Sequence, residues 1–280
     1  MMLNFILGVF GFGLAAVLLP LLCKLITRAG FVRPNYRGNT IPQGVGVVFF
    51  VVPLCLSLPV LIFFPSLLPR PQLNAFLALA GAMGFLGLLD DVFGSRRVSG
   101  LKGHFAALLR GRPTTGALKA LGGLAAAFLV SLLTAPAKEV LLNTLVIALA
   151  ANAVNLLDLR PGRAGKAYLL GALPLFAVGW SLPAFIFPLA MVTGAVLAYL
   201  PGDLRGRVMM GDAGANVLGA ALGLVAVWVL GIEARGVVLA FLILFHLLCE
   251  RYSLTEVIRR NRLLHFLDRL GRPGEETGDK

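Results

Sequence analysis

Charge is scarce in this chain. Only 14% of its 280 residues are Asp, Glu, Lys or Arg, against roughly 25% in an ordinary soluble protein. Apolar residues make up 58%. A soluble fold of this size has no means of hiding so much apolar surface, and a disordered chain would not carry it. Cysteine is also rare: Cys23, Cys55 and Cys249 show neither pairing nor metal-ligand spacing, which excludes a disulfide framework and a zinc cluster. The three histidines, His104, His246 and His265, are scattered and form no HExxH arrangement. Acidic residues number 13 against 25 Lys and Arg, a formal net charge of +12. In so apolar a chain that excess does not indicate nucleic acid; it orients helices against anionic lipid and the membrane potential.

What is present is a series of long apolar runs. A spanning helix needs roughly 17–25 mainly apolar residues. Nine segments qualify, near 2–22, 44–64, 73–89, 117–134, 140–157, 167–180, 183–200, 213–230 and 236–250. The sixth and seventh are short, and Gly179 to Pro183 supplies the turn between them. The fold class is therefore an all-α polytopic membrane protein, with a membrane domain over 1–250 and a tail over 251–280. The first segment lacks the charged start of a signal peptide; Lys24 and Arg28 follow it instead, as in a retained helix. The loops 23–43, 90–116, 158–166 and 201–212, the tail, and Lys119 at a helix mouth hold 22 of the 25 basic residues. The positive-inside rule places that side in the cytoplasm, with the N-terminus outside and the C-terminus inside. No internal repeat, low-complexity tract or flexible linker is visible. Residues 254–270 carry an apolar stripe with Arg259, Arg260, Arg262 and Arg269 on other faces, the pattern of an interfacial amphipathic helix.

The few acids are informative. Asp90 and Asp91 end the third segment in GFLGLLDD, Asp158 ends the fifth in NAVNLLD, and Asp212 opens the eighth in MMGDAGAN. All four fall at the same membrane face. A carboxylate beside the bilayer is costly unless paired, metal-bound or wet. Four converging on one face of a cationic protein suggest a divalent cation: Mg²⁺ takes one or two carboxylates and completes its shell with water and phosphate oxygens. The plainer role is helix capping or pairing with a loop arginine, and Asp212 suits an N-cap. The same loops hold anion binders: Arg160, Arg163 and Lys166 in DLRPGRAGK, with Arg37, Lys102 and His104 nearby. Arginine suits bidentate phosphate recognition; topology signalling and lipid headgroup contact are the alternative. GAALG at 219–223 has the GxxxG spacing of a close helix contact within or between protomers, so a homodimer is one of its readings.

These residues carry a resemblance. RPNYRGNTIPQGVG (33–46), GLLDD (87–91), ANAVNLLD (151–158) and MGDAG (210–214) resemble, in order, four motifs of the polyprenyl-phosphate N-acetylhexosamine-1-phosphate transferase superfamily. Its bacterial members begin lipid-linked peptidoglycan, teichoic acid and O-antigen synthesis. The resemblance implies transfer of a sugar-1-phosphate from a UDP-sugar to a polyprenyl phosphate such as undecaprenyl phosphate, with release of UMP. It implies a multi-pass protein of the bacterial cytoplasmic membrane whose active site faces the cytoplasm, and membrane helices that form a groove for the prenyl chain. It implies Mg²⁺, for which Mn²⁺ is a substitute, on Asp212 with Asp91. Asp90 is then the base for the lipid phosphate or, alternatively, a covalent nucleophile; which of the Asp90–Asp91 pair does which stays open. Asn152, Asn155 and Asp158 would position the nucleotide-sugar; Arg160 and Arg163, which depart from the family pattern, would replace a carboxylate contact there with a phosphate one, and Arg37, Lys102 and His104 are further anion-binding candidates from their loop positions.

The chain also departs from that pattern. Many bacterial members continue with DGLDGLA, whereas DLRPGRA puts Leu159 where glycine is usual and Pro161 where a second acid would stand. Of a His-rich motif in the last cytoplasmic loop, only His265 remains near its place, and a tenth spanning helix is missing. Two other readings follow: a non-catalytic member that binds or scaffolds lipid-linked intermediates, and a transporter, against which the one-sided acids and the absence of an inverted repeat both speak.

Overall fold

The fold, taken from a computed structural model, is described for residues 1–94, 111 and 114–273. Among them nine helices form the bundle: α1 (Met2–Arg28), α2 (Val48–Phe63), α3 (Arg70–Phe93), α4 (Thr115–Thr134), α5 (Val140–Leu157), α6 (Arg163–Val178), α7 (Phe187–Leu204), α8 (Gly211–Val229) and α9 (Ile232–Arg251). Two short helices follow, α10 (Leu254–Arg260) and α11 (Arg262–Arg269). The all-α polytopic architecture is the one expected. Eight helices are long and apolar enough to cross a membrane, α2 being continuous with the 3₁₀ turn Val45–Val47 that brings its span to 19 residues. The ninth expected span, α6, is present but has 16 residues with Pro174 inside, and it falls short of that length. It starts at Arg163, earlier than the sequence pattern indicates, because Gly162 in the left-handed region (φ 74°) turns the chain straight into it. The expected turn after it is there, as a 3₁₀ turn at Gly179–Ser181.

Helix α8 is the axis of the bundle and the most buried of the spans, while α1 and α9 lie at the periphery. Its sequence explains why. GDAGANVLGAALGLVAVWV presents small residues on several faces, so neighbours approach its backbone closely. A Cβ at Gly219 would lie 2.2 Å from the Ala150 carbonyl oxygen of α5, and one at Gly223 would lie 2.7 Å from Ile147 Cα. The GxxxG spacing is therefore used within one chain, against α5, and it lends no support to a homodimer.

The first loop is more ordered than its composition suggests. Strands β1 (Val32–Pro34) and β2 (Thr40–Pro42) pair antiparallel, Arg33 opposite Ile41. The Asn35 side chain accepts the Arg37 and Asn39 N–H groups at 2.8 and 3.0 Å, closing the turn. Its amide donates to the Gly206 carbonyl at 2.8 Å. The segment before α8 then runs alongside: Met209 N–H donates to Pro42 O, and Val45 and Gly46 N–H groups donate to Met209 and Met210 carbonyls, at 3.0–3.1 Å. These bonds bring the hairpin, α8 and the loop before it to one end of the bundle. Gly219→Val should lower the unfolding midpoint in detergent, by about 1–3 kcal/mol of overpacking, without changing the mass of the detergent complex. An unchanged midpoint would contradict the close α5–α8 approach.

Candidate functional site

The site begins at the N-terminus of α8. The first N–H groups of a helix lack internal acceptors and carry its positive partial charge. Asp91, on the last turn of α3, takes two of them: Asp212 N–H to Oδ1 and Ala213 N–H to Oδ2, each at 3.0 Å. Gln43 Nε2 adds a third bond to Oδ1 at 2.9 Å, and Arg33 Nη2 donates to the Asp91 carbonyl at 3.3 Å. Gly211 is in the left-handed region (φ 68°), and a Cβ there would sit 2.4 Å from the Asp91 carboxylate. Asp91 is thus buried as a cap supplied by a neighbouring helix.

Its chain neighbour faces a different partner. Lys119, one turn into α4, donates from Nζ to Asp90 Oδ2 at 2.6 Å and to Asp212 Oδ2. Three helices thereby bring two carboxylates onto one ammonium. Helix α4 is started by Thr114, whose side chain accepts the Ala117 N–H at 3.1 Å, and this places Lys119 at the level of the acids. In sequence the lysine reads as a topology charge at a helix mouth, with no role at the site. The available signal was its position inside an otherwise apolar helix, where an ammonium needs partners.

Beside this group lies a cavity of about 240 Å³ lined by residues of the hairpin, the loop after α5, the end of α7 and the start of α8, among them Arg33, Tyr36, Gln43, Asp91, Asp158, Arg160, Asp203 and Asp212. The guanidiniums of Arg160 and Arg37 both lie over the Tyr36 ring, at 5.7 and 5.1 Å from its centroid, within cation–π reach. Asp203, unassigned in the sequence, is buried at the end of α7 and accepts the Gly162 N–H at 2.9 Å. Burial pushes the Asp158 carboxyl well above its ordinary value, and the charges of Asp203, Asp212 and Asp91 push it further.

Of the residues singled out in the sequence, Asp91, Asp158, Arg160 and Asp212 line the cavity, Asp90 stands behind it on Lys119, and Arg37 is exposed on the Tyr36 side. Asn152 and Asn155 are half-buried on α5 and do not line it. His265, on α11, is also outside it. Arg163, expected at a phosphate, is buried and turned the other way, onto Asp268. Lys102 and His104 lie outside the described residues. Among the described residues, no group of three or more His, Cys, Asp or Glu side chains is arranged to hold a metal ion.

These features define a class: a multi-pass membrane protein with a mixed acidic and basic cavity at one end of its bundle. Residues 73–230, more than half of the chain, match the family model described as Glycosyl transferase family 4. The chain belongs to that family, the polyprenyl-phosphate N-acetylhexosamine-1-phosphate transferases. At family level this is sugar-phosphate transfer to a polyprenyl phosphate, with a membrane lipid acceptor and a nucleotide-sugar donor. No curated protein matches the chain.

The raised Asp158 carboxyl makes a stability statement. A proton is held more tightly in the folded than in the unfolded chain, so stability is fully present at low pH and falls as pH rises through the folded-state value. Without nucleotide, Asp158→Asn should raise the unfolding midpoint at neutral pH and flatten its decline as pH rises above the ordinary carboxylate range. A midpoint in the variant that still declined as in the wild type would show that Asp158 is not the group responsible.

Proposed function

We propose that the protein transfers an N-acetylhexosamine-1-phosphate from a UDP-sugar to a polyprenyl phosphate, releasing UMP and leaving a lipid-linked pyrophosphate sugar for envelope-polymer synthesis. The observation that carries this reading is the convergence of Asp90 and Asp212 on Lys119, with Asp212 also lining the cavity that Arg33 and Arg160 line. Phosphoryl transfer needs positioning and charge neutralisation more than covalent work by the protein, and this set supplies both signs of charge within one small region.

The reaction joins an oxygen of the lipid phosphate to the phosphorus that bears the sugar. The bond from that phosphorus to the bridging oxygen breaks, and UMP departs with the oxygen and its electron pair. Arg33 and Arg160 suit the donor's phosphates as fork-shaped donors. Tyr36 and Asp158 line the same cavity and suit the nucleotide. Lys119 is placed to neutralise charge on the transferred group. A phosphate monoester is already largely ionised at neutral pH, so the lipid phosphate needs no separate base and Asp90 is left to hold a cation with Asp212.

A divalent cation fits the donor set. Asp90 and Asp212 are all-oxygen ligands that already face one shared cation, and Mg²⁺ requires only one or two protein carboxylates. Both Asp91 oxygens are engaged by N–H groups, so Asp90 is the better companion to Asp212 and Asp91 the better structural anchor. When bound, Mg²⁺ or Mn²⁺ would offset the diphosphate charge and make UMP a better leaving group. The membrane is the bacterial cytoplasmic membrane, with the basic end of the bundle, and so the site, in the cytoplasm.

The test is UMP release by purified protein with undecaprenyl phosphate, Mg²⁺ and a panel of UDP-sugars. Release with one donor, abolished by chelation, is the expected result. Asp212→Asn should reduce it by about a hundredfold or more with an unchanged unfolding midpoint. Silence across the panel from a folded sample would favour the non-catalytic reading, a protein that binds lipid-linked intermediates.

A further inference from the structure

The C-terminal segment is fastened to the loop that lines the cavity. Helices α10 and α11 break at Asn261, whose side chain accepts the Leu264 N–H at 3.0 Å and so starts α11. Asp268, near the end of α11, receives Arg163 Nε and Nη2 at 2.8 and 3.1 Å and Arg272 Nη2 at 2.9 Å. Arg163 Nη1 reaches Thr255 Oγ at 3.3 Å, which ties in α10 as well. Arg272 Nε donates to the Pro161 carbonyl at 2.8 Å. Lys166 Nζ donates to the carbonyls of Leu267, Asp268 and Leu270 at 2.8, 2.6 and 3.2 Å, closing the end of α11. The ion pair is shielded from solvent: the Arg163 side chain is 5% exposed and that of Asp268 is 9% exposed.

A buried ion pair is weak evidence for stability, because desolvation offsets its attraction. What a bidentate pair does supply is a fixed geometry. The loop it fixes is short. Asp158, Leu159, Arg160 and Pro161 line the cavity, and the next residue, Gly162, gives its N–H to Asp203 at 2.9 Å on the cavity side. The loop is therefore held from both sides, by Asp203 within and by Asp268 and Arg272 from the tail. Arg160 sits in the middle of that clamp.

We propose that Asp268, acting through Arg163 and Arg272, is a positioning residue for donor recognition: the C-terminal segment sets how Arg160 and Asp158 present themselves to the nucleotide-sugar. This rests on the reading of the cavity as the donor site. Arg163 and Pro161 both bond to that segment. Their chemistry is directed at the tail, and the loop's contact with ligand passes to Arg160.

The experiment uses the full chain with Asp268→Asn and Asp268→Glu, and it has two arms. In the first, hydrogen exchange without ligand should quicken at the amides of 159–164 in Asp268→Asn and return towards wild type in Asp268→Glu. In the second, binding of UMP is followed by calorimetry. Asp268→Asn should weaken it about tenfold, the scale of a misplaced binding group, and Asp268→Glu should restore it. In turnover, the KM for the UDP-sugar should rise while kcat and the KM for polyprenyl phosphate stay unchanged. Unaltered UMP binding in Asp268→Asn would overturn the proposal, as would an equal rise in both KM values, which a general loss of structure would produce. Wild-type protein that binds UMP but transfers no sugar would sink the transfer reading and leave the binding arm to decide the role of Asp268.

Discussion

The positive end of α8 is the constraint on which the rest of the site depends. Its exposed N–H groups need an anionic partner, and Asp91 of α3 supplies one from a buried position. That contact fixes the height of α3 against α8. The height in turn places the preceding residue, Asp90, and the second residue of α8, Asp212, so that both reach the ammonium of Lys119. Adjacent aspartates thus divide the work between them. Asp91 holds two helices in register, and Asp90 is left to pair with Lys119.

The same end of the bundle is also pulled together by backbone. The hairpin of the first loop zips along the segment before α8 through three N–H to carbonyl bonds, and it delivers Gln43 and Arg33 to Asp91. Close α5–α8 packing through Gly219 and Gly223 sets where α5 ends, and so where Asp158 enters the cavity. Acids that would repel one another are brought near because glycine-rich packing and helix-end N–H groups fix their backbones. The raised Asp158 carboxyl is the electrostatic cost of that arrangement, of the kind expected where binding or catalysis requires strained charge.

The nine helical segments and the one-sided placement of the acids were legible in the sequence, because a carboxylate in an apolar chain has few places it can occupy cheaply. Other features were hidden for definite reasons. Lys119 looked like a topology charge, since its partners lie 29 and 93 residues away along the chain. Asp203 sat unremarked in a basic loop, and only the fold sets it against Gly162. The strands of the hairpin have three residues each, too few for any alternation to register. Arg163 carried the chemistry of a phosphate binder, but its partner Asp268 lies 105 residues on. GAALG showed that two helices meet closely, and the structure decided which two.

Asp90 and Asp212 are proposed to form one cation site beside the cavity. The most direct measurement is Mn²⁺ binding to the purified protein with UDP-N-acetylglucosamine present, followed by electron paramagnetic resonance. One Mn²⁺ bound per chain is the expected result, displaced by Mg²⁺ and lost in both Asp90→Asn and Asp212→Asn. Full-strength binding retained in Asp212→Asn would contradict it.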